Sequence, residues 1–371
     1  MSMTAELQTI IPHFDFSGEL ALCEPIMTGH LNRTYRLGFV LPDGTRRDYV
    51  LQRINTFAFK KPEEVMQNVQ LVTEHLCQAY RKQGRDPANR VLRLVPVKGG
   101  GVLYQDDNGS WRAYDFITGA RTIDRVDSPA QFQEIGRAFG AFQNMLSDFP
   151  IERLYDTIPN FHHTVRRMEA FERSVVADVR GRAASVQPEI AAVRARRNGM
   201  GRIVEMIDAG TLPLRVTHND TKINNVMLDE RTGEALCVID LDTVMAGSAL
   251  YDFGDAIRYG ASTAAEDERD LSRVRLDIGL FSAYAEGFIS ETARSLTLPE
   301  LENLPLGALV MTFENGMRFL TDYLDGDVYF HIEGADDNLA RARCQLKLLS
   351  DMEAHSDEMY AITKALIGKY R

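Results

Sequence analysis

Hydrophobic residues change their spacing at about Gly119, and this limits the chain to a two-part α+β architecture. Before that point, Arg33 to Val40 and Arg47 to Ile54 are short runs rich in aromatic and β-branched residues. Pro42-Asp43-Gly44 lies between them, where proline presets φ and glycine supplies a positive φ, so a hairpin is expected. Residues 62–80 place Val65, Val69, Val72 and Leu76 at helical spacing behind a proline suited to the first turn. Leu92 to Val97 and Val102 to Tyr104 are expected strands, and Asp107-Asn108-Gly109 turns into another, Trp111 to Ile117. Beyond Gly119 the segments 128–148, 162–180, 186–209, 268–290, 305–325 and 336–368 are long and amphipathic. They enclose a β stretch from about Leu214 to Thr243. The expectation is a β-rich lobe over 1–118, a connector near Phe116–Asp124, and a larger helical lobe over 119–371.

A chain of 371 residues exceeds the roughly 250–300 at which one core stops growing, which agrees with two lobes. The formal net charge of −11 speaks against a general nucleic-acid binder, which needs a basic face. Cys23, Cys77, Cys237 and Cys344 show no paired spacing, so neither a zinc site nor a disulfide framework is expected. No basic, apolar leader opens the chain and no run is apolar enough to span a bilayer, so a cytoplasmic protein with no membrane partner is expected. The glycines at 99–101 follow a strand but open no helix, and are expected to form a plain loop. The sequence leaves the oligomeric state open.

The run His218-Asn219-Asp220-Thr221-Lys222-Ile223-Asn224-Asn225 contains H-x-D-x-x-x-x-N, and Ile239-Asp240-Leu241-Asp242 follows it. Phosphoryl transfer requires a carboxylate for the attacking hydroxyl, oxygen ligands for a cation, and positive charge near the transferred group. The turn at 229–234 separates two apolar runs, so 226–228 and 235–239 should pair. A turn centred near residue 232 puts Asn225 across from Ile239 and beside Asp240. An amide oxygen and a carboxylate then converge, which suits a hard cation such as Mg²⁺. Alternation would return Asp242 to the side of Asp240. His218 is expected to be a buried structural imidazole. Adjacent His162 and His163 do not share a helical face, which argues against a metal site there.

This constellation resembles the catalytic loop of the protein-kinase-like superfamily that contains the aminoglycoside phosphotransferases and choline kinases. The resemblance implies ATP and Mg²⁺ as cofactors, Asp220 as the base, Asn225 and Asp240 as metal ligands, and Lys222 near the γ-phosphate. It implies that Asp252 braces the catalytic loop. It also makes the turn containing Gly29 the cover of the phosphates, and the backbone at Phe116 and Ile117 the adenine contact. The third strand of such folds should carry a lysine for the α- and β-phosphates; Gln52 stands there, with Arg53 on the opposite face.

The strings GHLNRTY, YVLQRIN, FGAFQNML, PLRVTHNDTKINN, IDLDTVMAGS and GMRFLTDYL are similar, more closely, to the N-acetylhexosamine 1-kinase family, over about residues 27 to 350. That family shares the glutamine. The likeness implies transfer of the γ-phosphate to the anomeric hydroxyl of N-acetylglucosamine or N-acetylgalactosamine. The implied sugar contacts are Asp220, Thr243, Arg318 and Tyr329, with His30 and Asn32 from the small lobe. Arg318 lies in the apolar run Leu304 to Leu320 and needs a partner, either Glu314 or a ligand. Alternatives are a kinase of another small alcohol such as an aminoglycoside, and a silent nucleotide-binding protein.

Overall fold

The structure is a computed structural model that describes residues 5–27 and 32–371. A short helix α1 (Ala5–Ile10) precedes strands β1 (Glu19–Ile26), β2 (Arg33–Val40) and β3 (Arg46–Arg53). Helix α2 (Pro62–Lys82) follows, then β4 (Tyr104–Asp106) and β5 (Gly109–Asp115). The five strands form one antiparallel sheet in the order β1-β2-β3-β5-β4. The expected turn at 42–44 is present: Gly44 has φ 82° and its N–H bonds the Leu41 carbonyl at 2.9 Å.

Strand alternation gives this sheet two unlike faces. Leu37, Phe39, Tyr49, Leu51, Trp111 and Ala113 point one way and pack with Leu7, Ile10 and Phe14. Thr34, Gln52 and Arg112 point the other way in a single rung, since Thr34 pairs with Gln52 and Gln52 with Arg112. Arg53 takes the first face, as expected, and its guanidinium reaches Glu6 at 3.0 Å.

The rest of the chain runs β6 (Ala120–Arg121), α3 (Pro129–Met145), α4 (Thr164–Ala177), α5 (Gln187–Met200), α6 (Arg202–Asp208) and β7 (Arg215–Thr217). Then come β8 (Val226–Asp229), β9 (Ala235–Val238), β10 (Met245–Gly247), α7 (Ala249–Gly260) and α8 (Ile278–Thr292). It ends with α9 (Leu298–Glu302), α10 (Leu304–Asp325), α11 (Asp337–Ala354) and α12 (Ser356–Tyr370). Two small sheets, β10-β7 and β6-β8-β9, lie among these helices. The helices share the largest core. A second core joins them to the sheet: Val65, Val69, Val72 and Leu76 of α2 pack with Phe142, Leu146, Val216, Leu241 and Val244.

Several expected elements differ. Residues 92–97 form no strand; the Val95 N–H bonds Ala113, while the Asp15 N–H bonds Pro96. Pro96 has no N–H to extend a ladder, so the segment divides its bonds between two partners. The helix expected at 186–209 breaks at Gly201, and that at 336–368 breaks at His355. The one expected from 268 begins at Ile278, where the Asp277 side chain accepts from the Leu280 N–H at 3.0 Å and caps it.

Helices α7 and α10 cross at Gly254 and Gly307. A Cβ at Gly254 would overlap the Gly307 carbonyl, and one at Gly307 would overlap that of Leu250. This backbone contact sets how far α7, which carries Asp252, lies from α10, which carries Glu314 and Arg318. Gly254→Ala should therefore destabilise the fold by about 1–3 kcal/mol through overpacking, read as a lower urea midpoint. An unchanged midpoint would show that the crossing has slack.

Candidate active site

The β8–β9 hairpin has the register expected from its turn. Val226 faces Val238, Met227 faces Cys237, and the Ile239 N–H donates to the Asn225 carbonyl at 2.9 Å. The expected alternation beyond Ile239 does not hold. Asp240 adopts φ 58° and ψ 59°, and Leu241–Thr243 form a 3₁₀ turn. Left-handed backbone at a non-glycine residue is uncommon and tolerated best by Asp and Asn. Asp240 is left exposed, while Asp242 is buried with both oxygens engaged.

Asp220 lies one strand earlier, on the loop between β7 and β8. Its carboxylate receives the Lys222 ammonium at 3.2 Å and the Asn225 Nδ2 at 3.2 Å, and that same nitrogen bonds the Asp220 carbonyl at 2.8 Å. Burial would raise the Asp220 carboxyl, but Lys222, then His218, hold it below the usual range. The ammonium of Lys222 is held above its usual range by Asp220 first, despite burial, with Glu266 and Asp255 adding to the effect. The Asn225 amide oxygen has no partner among the described residues. The Asp240 carboxyl is pushed up to about 6, by desolvation on its protein side and then by the like charges of Asp242 and Asp220.

Those two oxygens fit a divalent cation by their chemistry: one amide oxygen, and one carboxylate whose ionised form is disfavoured by its neighbours. Among the described residues no three His, Cys, Asp or Glu side chains cluster as a metal cage. A two-ligand site completed by water and phosphate is the habit of Mg²⁺.

The loop is held from below by Asp252 of α7. One of its oxygens accepts the Asn219 N–H at 2.7 Å, and the other accepts the His218 N–H and the Gln143 side chain at 2.9 Å each. The Thr221 hydroxyl bonds the Asp252 carbonyl at 2.5 Å. His218 is buried, as expected, donating from Nε2 to the Ile239 carbonyl at 2.9 Å. The Thr243 hydroxyl donates to the His218 carbonyl at 2.6 Å, so towards a ligand it can only accept. Asn219, at φ 64°, returns its amide to the Thr243 carbonyl at 2.9 Å. Loop and hairpin are one hydrogen-bonded unit.

His162 ties the loop to α10. Its Nε2 meets the Asn219 carbonyl at 3.1 Å and its Nδ1 meets Glu314 at 2.7 Å; Thr164 bonds the other Glu314 oxygen at 2.9 Å. Burial would raise the Glu314 carboxyl, but His162, then Arg167 and Arg318, pull it below its usual range. Glu314 is therefore spent, and Arg318 has no hydrogen bond or ion pair among the described residues. Its guanidinium lies 5.2, 5.9 and 5.5 Å from the ring centres of Phe161, Tyr329 and Phe330. The Asp322 carboxylate gathers the N–H groups of Val328, Tyr329 and Phe330 at 2.8–2.9 Å, which fixes the loop presenting Tyr329. Tyr329 is 43% exposed. Burial and then the like charge of Arg318 pull Arg167 down to about 10.

On the sheet side, Gln52 bonds Arg112 and Thr34, and Asn32 bonds Asp242 at 2.7 Å while accepting the Asn55 N–H at 3.0 Å. Both ends of the Asn32 amide are thus partly engaged by protein. At the connector, the Phe116 N–H is taken by the Asp48 carbonyl at 3.1 Å, whereas the Ile117 N–H has no backbone partner among the described residues. Of the two, only Ile117 keeps a donor for a base. Gly29 and His30 lie outside the described residues. Arg112 was missed in the sequence; its one signal is a charged residue inside an apolar strand.

Residues 23–286 match APH, the phosphotransferase enzyme family, and the chain belongs to that family. Solved structures similar to it include a microcompartment-associated aminopropanol kinase, 16% identical with a TM-score of 0.60, covering 95% of this chain and 98% of that one. An amicoumacin kinase in complex with AMP-PNP, Ca²⁺ and Ami is 12% identical with a TM-score of 0.57, over 93% of each chain. A choline kinase from Cryptosporidium parvum Iowa II is 13% identical with a TM-score of 0.54, over 93% of each. At such identities the likeness concerns the fold, a small antiparallel sheet with a helical lobe as in protein-kinase-like enzymes.

Asp252→Ala should leave the His218 and Asn219 N–H groups buried without an acceptor, costing about 1–3 kcal/mol for each unmatched group. Native-state hydrogen exchange should then accelerate at those two amides. Unchanged protection would remove Asp252 as the brace.

Proposed function

We propose that the protein is an ATP- and Mg²⁺-dependent kinase that phosphorylates the anomeric hydroxyl of N-acetylhexosamines. The observation that carries the kinase reading is the meeting of Asp220, Lys222 and Asn225 beside Asp240 across one hairpin. Asp220 orients the sugar hydroxyl and takes its proton as the new O–P bond forms and the bond from the γ-phosphorus to the β-phosphate oxygen breaks, releasing ADP. Lys222 meets charge on the transferred group. Asn225 and Asp240 hold the cation, which when bound neutralises phosphate charge. The AMP-PNP and Ca²⁺ bound by the similar amicoumacin kinase support a nucleotide with a divalent ion. Residues 1–118 form the nucleotide lobe, with the turn at Gly29, Gln52 and the backbone at Phe116 and Ile117 around ATP. Residues 119–371 provide catalysis and the acceptor site.

For the acceptor, Thr243, Arg318 and Tyr329 line the sugar, with Asn32 from the sheet side and His30 as further contacts. Support comes from the sequence likeness described above and from a guanidinium with no acceptor among the described residues, beside the exposed Tyr329. A free cation there disfavours a polycationic aminoglycoside and suits the carbonyl and hydroxyl oxygens of an amide sugar.

The test is ADP release with ATP and Mg²⁺ over N-acetylhexosamines, hexoses, choline and aminoglycosides, with the phosphate position read by NMR. Turnover confined to choline or aminoglycosides would overturn the sugar assignment and leave the kinase intact. Asp220→Asn should keep the fold and lower kcat about 10²–10⁴-fold. Near-normal turnover in that variant would remove Asp220 as the base. Arg318→Ala should raise the sugar KM more than the ATP KM; the reverse would move Arg318 to the nucleotide side.

A further inference from the structure

The third strand has no lysine, yet a cation stands beside the vacant position. Arg112 of β5 pairs in register with Gln52 of β3 and projects from the same face of the sheet. Its side chain is 1% exposed. Nε donates to the Gln52 side-chain oxygen at 3.0 Å, and Nη1 donates to one oxygen of Asp242. The other Asp242 oxygen accepts from Asn32 at 2.7 Å, and the amide nitrogen of Gln52 is taken by Thr34 at 3.1 Å. Both oxygen-bearing groups that hold the guanidinium are therefore themselves held, and Nη1 also lies 3.7 Å from the Met66 sulfur. Nη2, by contrast, has no partner among the described residues.

Nη2 is not among the fully buried unmatched polar atoms, so it is the edge of the guanidinium that opens towards solvent and can donate outward. Asp242 is two residues beyond Asp240, and Arg112 and Asp240 lie within each other's electrostatic reach. A fixed donor pair between the sheet and a cation-binding carboxylate is suited to an oxyanion that spans both, and a planar guanidinium suits phosphate oxygens.

We propose that Arg112 is the cation that binds the phosphate chain of a nucleoside di- or triphosphate, through Nη2, with Gln52 and Asp242 as the positioning residues that aim it. The lysine and carboxylate of a conventional third-strand pair are thereby replaced by an arginine from the neighbouring strand and a carboxylate from the far side of the cleft. Gln52 stands where it does because an amide oxygen, unlike an ammonium, can accept from the arginine. The proposal rests on the kinase reading above.

The test measures, by calorimetry without acceptor, the ratio of adenosine Kd to ADP Kd. This ratio isolates the contribution of the phosphates from that of the base. The wild-type chain should show a ratio well above one; a ratio near one would sink the kinase reading itself. Arg112→Met alone strands the Asp242 charge, so the main variant is Arg112→Met with Asp242→Asn, which removes both charges together. It should keep its circular dichroism and its adenosine Kd, and its ratio should fall about tenfold, the usual worth of one charge-assisted hydrogen bond. Arg112→Lys keeps the charge but cannot hold Gln52, Asp242 and a phosphate at once, so its ratio should fall severalfold. Adding Gln52→Lys to the double variant should restore part of the loss. An unchanged ratio in Arg112→Lys, or in the double variant, would overturn the assignment and leave Arg112 a structural clamp. So would equal losses for adenosine and ADP.

Discussion

One buried carboxylate organises most of what lies around it. Asp252 sits at the start of α7, 1% exposed, and satisfies two successive backbone N–H groups of the loop that carries Asp220. Burial pushes its carboxyl up, and the donors around it offset part of that rise. Those donors come from α3 and the loop, so the arrangement exists only when α3, the loop and α7 are packed together. The loop carrying Asp220 is thus shaped by its support and not by a ligand.

The same logic repeats at other buried charges. Arg215 is matched to Glu300 at 2.5 Å, Arg258 to Asp255 at 2.7 Å, and His162 to Glu314 at 2.7 Å. Each pair links segments that are remote in sequence or lie on different turns, although one Asp255 oxygen stays buried without a partner. Unpartnered polar groups occur elsewhere too, such as the Tyr284 hydroxyl and the Thr363 hydroxyl, but among the described residues five gather around the cleft: the Asn225 amide oxygen, the Asp240 carboxylate, Arg112 Nη2, the Arg318 guanidinium and the Ile117 N–H. All of them belong to the β8–β9 hairpin, the underside of the sheet, the connector or the α10 face. An acidic chain meets an anionic ligand through such local exceptions, not through its overall field.

Much of this was legible in the sequence because it depends on short-range rules. The turn at Asp229–Glu234 determined which residues of β8 and β9 face each other, and the observed pairing of Val226 with Val238 follows from it. The change of hydrophobic period near Gly119 similarly separated the sheet from the helices. What lay hidden were departures from regular geometry. The left-handed Asp240 ended an alternation that looked sound on paper, and it sent Asp242 into a different role. Breaks at Gly201 and His355 divided helices whose amphipathic pattern ran on without interruption.

The sequence by itself determined the residue types and their local order: an aspartate, a lysine and an asparagine at set spacing, a hairpin, and the absence of a lysine at position 52. The tertiary structure alone decided which charges cancel and which remain. Glu314 is one helical turn from Arg318 and would have served as its partner, but His162, 152 residues earlier, takes it instead. Likewise Arg112 is brought to Gln52 by strand register and to Asp242 by the packing of sheet on helices. Pairings of that kind depend on where segments distant in the chain come to rest, and no local pattern encodes the distance between them.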